Sequence, residues 1–144
     1  MKEKTYTKAE VEAMRKKKHK YNVSPDKKKR TVRTPEKFVL TFQSQLEARF
    51  YEHLRREQKE LGEISLILRQ VPFDLSGGVK YRLDFLVKES FISEERFFFY
   101  DVKGCTNPKA KVYQEWKRTK KMVEAIHDIH IIEVTWKKGK WIYT

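Results

Sequence analysis

Two runs of strand-forming residues, joined by a short polar link, constrain this chain more than any other feature. The first reads Tyr81-Arg82-Leu83-Asp84-Phe85-Leu86-Val87 and the second Arg96-Phe97-Phe98-Phe99-Tyr100-Asp101-Val102-Lys103. Both are rich in β-branched and aromatic residues, and the link Glu89–Glu95 is short enough to favour an antiparallel hairpin. Asp101 and Lys103 are two residues apart on their strand, so they share a face, roughly 6–7 Å apart along it. An acid and a lysine are costly to place there together unless they pair or bind something. With Asp84 from the neighbouring strand they make two carboxylates and an ammonium, a set suited to a divalent metal and a phosphate.

The rest of the chain supplies elements to surround that hairpin. Leu46, Phe50, Leu54 and Leu61, with Ala48 and Tyr51 beside them, recur at helical spacing over residues 44–60. Ser44-Gln45-Leu46-Glu47 reads as a capping box, and Leu61-Gly62 as a helix stop. Ile64–Phe73 is a strand that Pro72 confines to an edge or an end, and Leu75–Gly78 is the turn out of it. After Lys103, Thr106 or Asn107 can cap a second helix with Pro108 in its first position. That helix runs to about His127, with Val112, Trp116, Val123 and Ile126 on one face. His130–Trp136 and Trp141–Tyr143 are strands separated by a turn at Gly139. A strand, helix, strand crossover implies a parallel pair with right-handed connection. The expected class is α/β, a mixed central sheet flanked by helices.

Charge divides the chain. Lys+Arg number 33 against 20 Asp+Glu, a net of +13, and residues 1–37 alone hold 14 of those cations and 5 of the acids. Such an excess points to a polyanionic partner. Lys16, Lys17, Lys18, Lys20, Lys27, Lys28, Lys29 and Arg30 form runs that repel one another and resist packing. Residues 1–37 therefore read as a basic arm, either a solubilising tail or a contact to phosphate backbone without sequence readout, and 38–144 as the globular domain. Lys117 and Lys121 on the second helix are either a solvated face or further phosphate contacts. No apolar run approaches the roughly 20 residues a membrane span needs. A single cysteine, Cys105, rules out an intrachain disulfide and fits a reducing cytoplasm. Four histidines and one cysteine make no recognisable zinc spacing.

A helix with Glu47, a strand with Asp84, Asp101-Val102-Lys103 on the next strand and then a helix resembles the PD-(D/E)XK nuclease superfamily. The order, element types and spacing all match. A narrower resemblance is to small phage and prophage proteins with this domain. It rests on Lys18-His19-Lys20-Tyr21-Asn22, Phe42–Tyr51, Gln70, Tyr81–Phe85 and Asp101-Val102-Lys103-Gly104 followed by Thr106, and covers about residues 18–125. Leu83 precedes Asp84 where the superfamily's name asks for proline. The resemblance implies a restriction-endonuclease-like core and a Mg²⁺- or Mn²⁺-dependent DNA endonuclease leaving 5′-phosphate and 3′-hydroxyl ends. It implies Asp84, Asp101 and the Val102 carbonyl as metal ligands, with Glu47 as a ligand or an orienter of metal waters. Lys103 would hold the attacking water, and Gln70 would support the site or touch the backbone phosphate. A role in phage recombination, replication or packaging would follow, and branched DNA would require a homodimer to cut two strands symmetrically. The alternatives are a non-catalytic DNA-binding protein on an inert nuclease fold, or an RNA-directed protein; nothing in the chain resembles a base-stacking RNA motif.

Overall fold

The computed structural model describes residues 31–35, 37–104 and 106–144. The lysines of the arm, Lys16 to Arg30, and Cys105 lie outside the described residues. The chain enters through a hairpin, β1 (Thr31–Arg33) and β2 (Val39–Thr41). Val32 and Leu40 of that hairpin pack against the main core, so folded structure starts before Phe38.

Helix α1 (Gln45–Leu61) begins where the sequence places it. Ser44 is its cap and accepts the Glu47 N–H at 3.1 Å. Gly62 ends it in the left-handed region, at a φ of 70° that glycine adopts without a Cβ clash. Then follow β3 (Ile64–Asp74), a short 3₁₀ turn at Ser76–Gly78, β4 (Lys80–Ser90), β5 (Glu95–Val102), α2 (Lys111–His127), β6 (Ile131–Lys137) and β7 (Lys140–Tyr143). The five strands form one mixed sheet in the order β3-β4-β5-β6-β7. Every pairing is antiparallel except β5 with β6, which the α2 crossover joins in parallel. Pro72 sits on the edge strand β3, the kind of place in a sheet where proline is tolerated. Among the described residues no helix is long and apolar enough to cross a membrane.

Two cores lie on opposite faces of the sheet. Under α1, the fully buried Phe50 meets Phe85, Tyr100 and Trp141 with ring centres 5.6, 5.5 and 5.0 Å away. Under α2, Tyr81, Leu83 and Ile131 pack with Val123. Their arrangement on β4 is unusual. Phe85 and Val87 belong to the α1 core, whereas Tyr81 and Leu83, of the same parity, belong to the α2 core. On β3 the same split separates Ile67 from Val71. A strand of period two cannot serve both faces with one parity unless its pleat reverses. The reversal falls between the pairs Arg69↔Phe85 and Val71↔Leu83. The residues in the gap are Gln70, whose φ is 53°, and Asp84.

Two details of α2 depart from the sequence reading. Asn107 caps a turn, not the helix: its Oδ1 accepts the Lys109 N–H at 3.0 Å, and α2 starts at Lys111 after Ala110. Val112 and Ile126 face outward, 38% and 50% exposed. The inner side of α2 is made by Val123, Trp116, Tyr113 and Lys120.

Candidate active site

The β4–β5 register ends at Phe85↔Tyr100. Asp84 and Asp101 are thus the first residues beyond it, where the two strands part. The Asp84 carboxylate fills the place of a strand partner: its Oδ2 accepts the Val102 N–H at 2.8 Å. Its Oδ1 accepts the Gln70 side-chain amide at 3.2 Å, and Gln70 Oε1 accepts from Gln43 at 2.9 Å. Gln70 is therefore committed to holding Asp84, and the pleat reversal aims its side chain there.

Asp101 is only 2% exposed. Its Oδ2 accepts two hydrogen bonds, one from the Tyr81 hydroxyl and one from the Trp116 indole N–H at 2.8 Å. Hydrogen bonds to a charged acceptor contribute about 1.5–3 kcal/mol each. Oδ1 is buried without a hydrogen-bond partner and forms an ion pair with the Lys103 ammonium. That ammonium also lies 4.5 Å from the centre of the Trp116 ring. Lys103 is partly buried, so the pair is not the screened surface contact that contributes almost nothing.

Glu47 approaches from the first turn of α1. Its Oε1 accepts the Ser44 hydroxyl at 2.9 Å, while Oε2 is buried with no hydrogen-bond partner. It serves the helix cap and still faces the other charges. Burial, opposed by hydrogen bonds from Ser44 and the Gln43 backbone and by Lys103, leaves its carboxyl above the ordinary range, with Asp101 adding to the rise. Burial, then the charges of Asp101 and Glu47, push Asp84 well above it, against Lys103 and the Val102 N–H. Burial first, then Asp101, keep the Tyr81 phenol protonated and a donor. Glu47 and Asp84 thus each feel the charges of Asp101 and Lys103 near the place where β4 and β5 part.

Among the described residues no three carboxylate, histidine or cysteine side chains stand close enough to make a ready-formed metal cage. The donor chemistry nevertheless fits a hard divalent cation. The acids are oxygen donors of the type Mg²⁺ and Mn²⁺ take, and two of their buried oxygens lack hydrogen bonds.

The remaining sequence candidates divide. Lys117 stays exposed but lies 3.9 Å from Glu133 and 5.4 Å from the Tyr113 ring, and Lys121 is exposed as well. Three site residues escaped the sequence reading as site residues. Tyr81 and Trp116 read as strand and core aromatics. Glu133 is 4% exposed, opposite Asp101 in the β5–β6 register, and accepts the Tyr113 hydroxyl on both oxygens at 3.0 and 2.8 Å. A lone acid inside the apolar run Ile131–Trp136 was the signal available for it. The cleft lined by Leu61, Phe91, Ile92 and Arg96 lies at the far end of the β4–β5 hairpin and has no part in this cluster.

No family model, no curated protein and no solved structure matches the chain.

Proposed function

We propose that this chain is a divalent-metal-dependent DNA endonuclease of the PD-(D/E)XK type, working in a reducing cytoplasm on a restriction-endonuclease-like core. The observation that supports it is the Asp101–Lys103 pair where β4 and β5 part, with Asp84 and Glu47 near enough to feel both charges. Asp84 and Asp101, with the Val102 carbonyl and Glu47, would hold Mg²⁺ or Mn²⁺. Such an ion lowers the pKa of a bound water and offsets charge on the attacked phosphate. The protein's own part is positioning. Gln70 and the Val102 N–H fix Asp84; Tyr81 and Trp116 fix Asp101. Lys103 places a positive charge beside them, where it steadies the attacking water and the charge that grows on phosphate oxygens during in-line displacement. The net charge of +13 supplies attraction to the backbone without reading its sequence. Branched DNA cut by a homodimer remains part of this proposal.

One observation favours a second reading, a DNA-binding protein on an inert nuclease fold: as it stands, Asp101 is satisfied by Tyr81, Trp116 and Lys103. One experiment separates the two. Purified protein is incubated with supercoiled, linear, single-stranded and four-way-junction DNA in Mn²⁺, Mg²⁺, Ca²⁺ or EDTA. The enzyme reading expects cleavage in Mn²⁺ or Mg²⁺, little in Ca²⁺ and none in EDTA. Binding without cleavage under all conditions selects the second reading, and undiminished cleavage in EDTA removes the metal.

A further inference from the structure

Trp116 touches both halves of the Asp101–Lys103 pair. Its indole N–H donates to Asp101 Oδ2 at 2.8 Å, and its ring face lies 4.5 Å from the Lys103 ammonium. Resting on the metal-dependent nuclease reading above, we propose that Trp116, seconded by Tyr81, is the positioning residue of this site. It sets which oxygen of Asp101 is offered to the cation and where the ammonium of Lys103 sits.

A carboxylate with no fixed partner can turn and offer a metal either oxygen or both. Asp101 cannot, because Oδ2 is pinned from two directions by Trp116 and Tyr81. Oδ1 is left as the single oxygen without a hydrogen bond. Both pins are neutral donors, so neither cancels the carboxylate's charge; Oδ1 faces the Lys103 ammonium, which a bound cation would have to displace from it. This is how outer groups orient a metal ligand. The ring face does the corresponding work for Lys103, since an aromatic face attracts an ammonium and gives it a seat beside the acid.

Packing alone does not explain the residue. Val123 is the fully buried side chain of α2, whereas Trp116 is partly exposed, and its N–H points at an acid that lies on a neighbouring strand. Phenylalanine would keep most of the apolar contact and lose the donor.

The test uses the full chain and its Trp116→Phe and Tyr81→Phe variants. Mn²⁺ binding is measured without DNA, by calorimetry and by electron paramagnetic resonance of free Mn²⁺; cleavage is then followed over a Mn²⁺ series. Trp116→Phe is expected to weaken Mn²⁺ binding about 10–100-fold, the range typical for loss of a ligand's hydrogen-bond partner. The Mn²⁺ concentration for half-maximal cleavage should rise by a similar factor. The rate at saturating Mn²⁺ should also fall, and by more than in Tyr81→Phe, because Trp116 alone seats Lys103. Mn²⁺ affinity equal to that of the unsubstituted chain overturns the proposal. Should Trp116→Phe lose its folding transition, Tyr81→Phe decides: weakened Mn²⁺ binding supports the proposal and unchanged binding overturns it. An unsubstituted chain that binds no Mn²⁺ is a separate failure, that of the metal reading itself, and is seen before any variant is made.

Discussion

Gln70 stands at a φ of 53° in the middle of a strand, and glycine and alanine substitutions there should reverse their usual order of stability. Both Gln70→Gly and Gln70→Ala lose the bond to Asp84, so their difference reports the backbone alone. In an ordinary strand glycine is less stable than alanine by about 0.5–1 kcal/mol, through the entropy it loses on folding. A Cβ in the left-handed region costs about 1–2 kcal/mol. The second effect is the larger, so Gln70→Gly should be more stable than Gln70→Ala by about 0.5–1 kcal/mol. For a chain of this size that is about 2–4 °C in Tm. The unsubstituted protein should exceed both, because a hydrogen bond to a carboxylate contributes about 1.5–3 kcal/mol. Urea unfolding of the three proteins, with equal slopes, measures the order. An alanine variant as stable as the glycine variant, or more so, would refute the left-handed geometry and with it the pleat reversal that aims Gln70 at Asp84.

Lys103→Ala should lower cleavage on the order of 10²–10³-fold, the usual cost of one electrostatic group aimed at the transition state, while a gel-shift assay finds DNA affinity little changed. Asp84→Asn and Asp101→Asn should abolish cleavage with binding kept or strengthened, since each removes a negative charge facing phosphate. Asp84 and Glu47 have carboxyls raised in the folded state, so the stability they contribute is full below the ordinary carboxylate range and is lost as pH rises through their raised values. Thermal unfolding from pH 4 upward should show that loss, and Mn²⁺ should raise Tm more above the window than below it; a Tm increment independent of pH would contradict the crowding of these acids. Deleting residues 1–30, which spares β1, should weaken DNA binding and flatten its dependence on salt, read from affinities across a salt series.

Much of the fold was legible because its main elements follow simple periods. Leu46, Phe50 and Leu54 mark α1, Ser44 and Gly62 its ends, and the runs around Asp84 and Asp101 mark the central hairpin. The β1–β2 hairpin was not legible, since three-residue strands are too short for alternation to register. The orientation of α2 was misread for a different reason. Apolar spacing places Val112 and Ile126 inward, but the sheet beneath α2 carries the buried acids Asp101 and Glu133, which select Trp116 and Tyr113. Periodicity counts apolar residues and is blind to a helix seated on carboxylates. Asp84, Asp101 and Lys103 were readable as candidates from their place at strand ends, and Glu47 from its capping box and the resemblance; the donors that orient them were not, because Tyr81 and Trp116 look like any other core aromatic until their polar atoms have partners.

The seating of α2 ties the candidate site to the protein's outer surface. Tyr113 and Trp116 on its inner side grip Glu133 and Asp101, and Arg118 and Lys121 on the same helix face solvent. Whatever shifts this helix alters the hold on Asp101, and whatever occupies Asp101 alters the hold on the helix. Linkage makes such an influence mutual. A polyanion drawn to the outer cations of α2 and a cation drawn to the acids beneath it would each change the other's affinity by the same factor, with one helix as the shared element.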